Sequence, residues 1–263
     1  MSTHTRDDWD RHWDDYSQCA QDNPALDYRR RVIFSLLKIK GNGQGIRLLD
    51  VGSGQGDMAA AVIEKYPCAE VLGLELSHSG VETSRKKVPG ARFVQRNLLE
   101  DVSPRPEYVN WATHAVCSEV IEHVDDPVRL LRRAREYMHE DCVLVVTAPG
   151  GPMSAFDRHI GHRKHYRPEE IKTVLREAGY TSVDASQAGF PFFNLYRSLV
   201  VLRGKKIIDD AASRGNRPAS FPARIAMAAF HPLFHLNFDS SPWGWQMTGK
   251  ARASKTTTEK GAL

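Results

Sequence analysis

The sequence predicts an α/β fold in which strands and helices alternate along one chain, and three observations predict it. Residues 46–57, IRLLDVGSGQGD, run from an apolar segment suited to a strand buried on both faces into a loop with a glycine at every second position. A second apolar run, residues 71–75 (VLGLE), ends in a carboxylate 19 residues after Gly56. Alternation of strand-like and helix-like segments then continues as far as residue 187.

Length and composition agree with that class. A chain of 263 residues with 41% hydrophobic residues suits one α/β domain with elaborations. The net charge of +4 is unevenly placed: residues 1–150 carry 19 Lys/Arg and 23 Asp/Glu, and residues 151–263 carry 17 and 9. A basic second half suits an anionic acceptor, a membrane surface or simply a solvated face. Cys19, Cys68, Cys117 and Cys142 form no C-x-x-C pair, so neither a disulfide nor a zinc site is expected. The polar N-terminus has no apolar leader core and no run of eighteen apolar residues occurs, which predicts a cytoplasmic protein.

In chain order, residues 1–8 read as disordered and residues 9–37 as helical, with Trp9, Trp13, Tyr16, Val32, Ile33, Leu36 and Leu37 apolar and a break at Asn23-Pro24. Residues 1–45 are therefore expected to form an N-terminal helical cap. The flexible stretch GNGQG, residues 41–45, leads into the first strand. The helix after it, residues 58–66, would aim its free N-terminal amides at whatever lies above the glycine loop. A helix over 79–87 closed by Pro89-Gly90, a strand over 91–95, a strand over 112–117, a helix over 127–138 and a strand over 142–148 follow. Pro168 opens a helix with Glu169 and Glu170 in its first turn and Gly179 beyond its end, and residues 180–187 read as the next strand. Residues 189–242 hold two apolar segments, 192–202 and 225–236, separated by GKKIIDD and a polar linker, and the last strand is placed at 243–251. Neither apolar segment is long enough to span a bilayer, and both read as helices of a lid or interfacial patch. Residues 254–263 read as a disordered tail.

The glycine spacing, Gly52-Ser53-Gly54-Gln55-Gly56 with Asp57 next, departs from G-x-G-x-x-G and weakens a dinucleotide reading. The chain instead resembles the class I S-adenosylmethionine (SAM) dependent methyltransferases, through LLDVGSGQGD, through LGLELS after it, and through SEVIEHVDDP at residues 118–127. That last segment is similar to the ubiquinone-type small-molecule enzymes. The resemblance covers residues 46–187 and implies a Rossmann-like seven-stranded sheet, six strands parallel and one antiparallel, within a domain spanning 46–253, with the 189–242 insertion before the last strand. It implies SAM as cofactor, held by Asp50, Gly52, Ser53, Gly54 and Gly56, with Glu75 on the ribose hydroxyls beside Leu76. Asn97 would meet the adenine amino group and Leu98 its ring, while Ser118 and Glu119 would flank the methionine end.

Acceptor chemistry is less determined. Glu122 and His123 would face the acceptor, and Tyr16 is a candidate pocket residue. His123 and His165 are the candidate general bases, since imidazole takes a proton near neutral pH. The segment from Asp157 through His159, His162 and His165 resembles the D…GHxRxY loop of many relatives. Three histidines at intervals of three suggest a metal, but Arg158, Arg163 and Lys164 between them argue against a cation, and no metal is expected. Such a loop suits an acceptor with a carboxylate, phosphate or ionisable hydroxyl. The expected partner is a small, partly apolar acceptor with no nucleic acid, since no catalytic N/D-P-P-Y/F motif and no basic strip with interleaved aromatics occurs, and with peripheral contact to anionic membrane as a further option. The competing readings are a silent SAM-binding interaction protein and an NAD-dependent oxidoreductase.

Overall fold

The computed structural model of the protein describes residues 9–10, 23–100, 102–214 and 221–254, with side chains 207–214 and 221–226 outside that description. Trp13, Tyr16, Cys19 and the tail from residue 255 lie outside the described residues, as do the readings made on them. Helix α1 (Pro24–Leu37) begins where the Asn-Pro break predicts: Asn23 caps it by accepting from the Ala25 amide, and proline fills the first turn, where no amide donor is missed.

The central sheet alternates with helices: β1 (Arg47–Val51), α2 (Asp57–Lys65), β2 (Glu70–Glu75), α3 (His78–Lys87), β3 (Arg92–Gln95), β4 (Ala112–Ser118), α4 (Pro127–Arg135) and β5 (Met138–Pro149). There follow α5 (Ala155–His159), α6 (Pro168–Glu177), β6 (Tyr180–Ala188), the insertion helices α7 (Phe192–Arg214) and α8 (Phe221–Phe234), and β7 (Gln246–Ala253). The strand order is β3-β2-β1-β4-β5-β7-β6, with β7 antiparallel to both neighbours and the other pairs parallel. This is the expected seven-stranded sheet with one reversed strand.

Alternation along the strands builds two cores. Leu48, Val116 and Val145 point to the face covered by α1 and α2, where Ile33, Leu37, Ala59 and Val62 meet them. Leu49, Val51, Leu72, Leu144 and Val146 point to the other face, against Leu131 and Ala134 of α4 and Ile171 and Leu175 of α6. Each such fully buried Leu or Ile contributes about 1.5–3 kcal/mol.

Four boundaries differ from the expectation for physical reasons. Helix α4 stops at Arg135 rather than Met138, because Met138 already pairs with Ala112 ahead of an irregularity in the ladder. Residues 155–159, read as loop, form a short helix closed by a reciprocal Ser154–Asp157 capping box. Helix α7 runs unbroken through Gly204-Lys205-Lys206 to Arg214, so the first apolar segment is the start of a longer helix; at Gly204 a Cβ would come within 3.3 Å of the Ala155 amide. The last strand starts at Gln246, leaving Trp243 exposed in the preceding turn. The insertion is also packed more firmly than a free lid: Phe193 and Phe234 form a third core with Ala25, Tyr28 and Val32 of the cap.

Candidate functional site

The C-terminal ends of β1, β2 and β4 open into a cavity of about 410 Å³, where open α/β sheets place their ligands. The glycine loop forms its floor. Gly52, Gly54 and Gly56 have φ of +71°, +52° and +80°, and the Gly52 and Ser53 amides both donate to the Leu74 carbonyl. At Gly52 a Cβ would also meet Val120 at 2.5 Å. Asp50, Gly52, Ser53 and Gly54 line the cavity, whereas Gly56 stands behind it against Ser84 and Phe93.

Glu75, at the end of β2, is 5% exposed and locks the loop. One of its carboxylate oxygens accepts the Gly54 amide at 2.8 Å and the other the Ser77 amide at 2.9 Å. Burial pushes its pKa up, and those amide bonds pull against the rise. Each oxygen keeps acceptor capacity for a hydroxyl. Asp50 is the more perturbed acid: burial, with Glu75 and Asp57 nearby, raises it to about 7, and its Oδ2 has no hydrogen-bond partner among the described residues. Leu76, Asn97 and Leu98 complete this end of the cavity. The Asn97 oxygen already accepts the Leu99 amide at 3.0 Å, so an adenine amino group would have to share it. A glycine cradle, a carboxylate with spare acceptor capacity and an orphaned buried acid fit SAM.

The opposite end is built by residues that are distant in sequence. Glu119 has φ of +57°, uncommon for a non-glycine residue, and is held by three elements: Arg29 of α1 at 2.9 Å, Gln246 of β7 at 3.0 Å and Thr147 of β5 at 3.2 Å. Ser118 bonds the same Thr147 hydroxyl at 2.9 Å. His123 lies edge-on to Trp9 and to His162, with ring centroids 4.8 and 4.6 Å away. Beneath it Glu122 is fully buried, and burial with Glu119 nearby pushes its pKa well above the usual carboxylate range.

His162 lines the cavity; His165 does not. His165 Nδ1 contacts the Gly151 carbonyl at 3.1 Å, and its Nε2 contacts His162 Nδ1 at 3.2 Å. A carbonyl only accepts, so a neutral His165 donates from Nδ1 and accepts at Nε2. His162 must then donate from Nδ1, which leaves the His162 Nε2 as a lone pair. Burial lowers the His162 pKa to about 3, against a raising pull from Asp157, so that lone pair persists at neutral pH. Asp157, 1% exposed, receives Arg197 of α7 on both oxygens at 3.0 and 2.9 Å. Burial alone would raise its pKa, but Arg197 and Ser154 bring it below the usual value.

Among the described residues two sets of donors, Glu122-His123-His162 and Asp157-His162-His165, each have ligand atoms within 4.8 Å of one another. The sequence argument against a metal relied on Arg158, Arg163 and Lys164 standing between the histidines. Arg158 instead donates to the Met153 and Ser154 carbonyls, Arg163 pairs with Asp125 at 2.6 Å and Lys164 with Glu170 at 2.8 Å, while Arg197 and Arg29 line the cavity. Sequence reasoning also missed Arg29, Arg197 and Gln246, whose positions follow only from the packing of α1, α7 and β7 on the strand ends.

A family profile described as a methyltransferase domain matches residues 25–185, more than half of the chain. The chain belongs to the methyltransferase-domain family. Its glycine loop, acidic second strand and sheet order place it among the class I SAM-dependent members. Relatives include a trans-aconitate 2-methyltransferase from Afipia carboxidovorans, 23% identical over 126 residues that make up 47% of this chain and 47% of the relative. The chain thus spans about half the length of the curated relatives it matches. Among solved structures, a possible histamine N-methyltransferase from Thermotoga maritima aligns with a TM-score of 0.59 at 15% identity, covering 94% of this chain and 98% of that one. Phosphoethanolamine N-methyltransferase 2 from Haemonchus contortus, solved with SAM, aligns at 0.56 and 15% identity over 86% of this chain and 52% of that one. At such identities these two likenesses establish the fold.

Proposed function

We propose that this methyltransferase moves the methyl group of SAM to a small, partly apolar acceptor that presents a proton-bearing oxygen or nitrogen. The carrying observation is that one cavity joins the glycine cradle and Glu75 to the His123–His162 pair. When bound, SAM supplies a methyl group already activated by its sulfonium. The protein's own work is alignment and exclusion of water. Glu75 accepts the ribose hydroxyls, Leu98 packs against the base, and Trp9 and α1 cover the site. His162 accepts the acceptor's proton-bearing group in a hydrogen bond, His123 takes its proton when deprotonation is needed, and His165 fixes the His162 tautomer.

Charge balance favours a neutral acceptor head over the anionic one that the basic loop implies. Arg29 is compensated by Glu119 and Arg197 by Asp157. The relatives named for trans-aconitate support a second reading, a carboxylate acceptor that shares those guanidinium groups. A turnover screen with SAM against hydroxyl, amine and carboxylate acceptors, following S-adenosylhomocysteine release, separates the two. Turnover confined to carboxylates removes the first reading, and SAM binding with no turnover on any acceptor favours a silent binding protein.

A further inference from the structure

Helix α7 is two-sided in a way the cavity does not use. With Leu195 at zero and about 100° per residue, Leu199, Leu202 and Lys206 fall within about 40° of it, and Phe193, Arg197 and Gly204 within about 20° of the opposite side. The inner side is fully engaged: Phe193 is 3% exposed in the third core, Arg197 holds Asp157, and Gly204 abuts α5. The outer side is apolar and bare, with Leu195, Leu199 and Leu202 exposed by 51, 45 and 81%.

What flanks this stripe identifies its occupant. Arg203 and Lys205 sit about 80° to either side of Leu195 and Lys206 caps the stripe, all three exposed. No acidic residue occurs from 189 to 206, and Asp209 and Asp210 mark the end of the stretch. Beside the start of the helix, the exposed Trp243 is held by Asn194, whose side-chain amide donates to its carbonyl at 2.6 Å. Leucines with cations at their margins, and an indole next to them, match a bilayer surface carrying anionic headgroups. A second copy of the chain fits poorly, since a two-fold contact through this face would bring further cations and, from residues 189–206, no carboxylate to meet them. No described helix is long and apolar enough to cross a membrane, so the contact is peripheral.

We propose that the outer face of α7, residues 195–206, docks the protein on an anionic lipid surface. This does not rest on the methyl-transfer reading. It does place the bilayer about one helix diameter, roughly 10 Å, from the Arg197 wall of the cavity.

The test is flotation of the full chain with vesicles of phosphatidylcholine alone and of phosphatidylcholine with one third phosphatidylglycerol. Binding is expected to the anionic vesicles only, and to fall sharply in about 0.5 M salt, where the screening length shrinks to about 4 Å. The Leu199→Gln/Leu202→Gln variant should lose about tenfold or more in partitioning. The Lys205→Glu/Lys206→Glu variant should lose at least about fivefold per cation, since each change also adds a repelled carboxylate. Both changes are on exposed side chains, so SAM affinity and unfolding temperature should match the parent and certify the fold. Failure of the parent to float, equal flotation of parent and both variants, or a dimer in sedimentation that the leucine changes dissociate, would each overturn the proposal.

Discussion

Replacing Glu75 by alanine tests the cofactor assignment most directly. The side chain serves two structures at once: its oxygens satisfy the buried Gly54 and Ser77 amides, and their remaining capacity faces the cavity. Loss of the inner bonds leaves two buried donors unpaired at about 1–3 kcal/mol each, so the variant should unfold more easily by about 2–6 kcal/mol. Loss of a charged acceptor for ribose should add about 1.5–3 kcal/mol against binding, a rise in the SAM dissociation constant of about 10- to 150-fold. Calorimetric titration at a temperature where circular dichroism shows the variant folded gives the second quantity, and chemical denaturation gives the first. Glu75→Gln sharpens the result, because its amide group must turn an N–H toward either Gly54 or Ser77 and so disturbs the loop while keeping the volume. A folded Glu75→Ala protein with unchanged SAM affinity would refute the assignment.

The other predictions follow from the same geometry. Gly54→Val, which forces a β-branched residue to φ of +52°, should abolish SAM binding while leaving a folded protein by circular dichroism; parental affinity would remove the cradle from the site. Asp50 binds its proton more tightly folded than unfolded, since its pKa rises from 3.8 to about 7. Its contribution to stability should therefore grow as pH falls from about 7 toward 4, reaching about 4 kcal/mol. Asp50→Asn should lose this acid-side gain, which unfolding temperatures of parent and variant across that pH range will show. Lowering of the His162 pKa acts in the opposite sense, costing stability as pH falls below 6.5, so His162→Phe should be relatively more stable in acid than the parent. With an identified acceptor, His123→Ala and His162→Phe should keep SAM affinity and lose turnover, and His165→Ala should raise the Michaelis constant more than it lowers kcat. Parental turnover in both His123→Ala and His162→Phe would place the base elsewhere.

The sheet was legible because each strand carries its own pattern. Residues 46–57 state a buried strand, a glycine turn and a helix start within twelve positions, and this local grammar repeats to residue 187. The cradle was legible for the same reason, as Glu75 follows the loop at a fixed spacing and reaches back to the Gly54 amide. The acceptor end was not. Glu119 is positioned by Arg29, Thr147 and Gln246, and Asp157 by Arg197, contacts set by how four elements pack rather than by any spacing along the chain. In the sequence His165 and not His162 stood as a candidate base, whereas His162 lines the cavity; the Gly151 carbonyl, brought next to His165 by the turn after β5, distinguishes the His162 lone pair from its support. The extension of α7 beyond Leu202 was hidden because its second half, from Gly204 to Arg214, is mostly polar.

The placement of β7 has a consequence for the order in which the sheet can close. Strand β6 touches the rest of the sheet only through β7, which enters between it and β5, and Gln246 on β7 also bonds Arg29, 217 residues earlier. Until β7 pairs, β5 has a naked edge, β6 has no neighbour in the sheet, and Glu119 lacks its Gln246 support. A chain folded only that far exposes unpaired edges on both strands, a point at which strand pairing between molecules competes with folding.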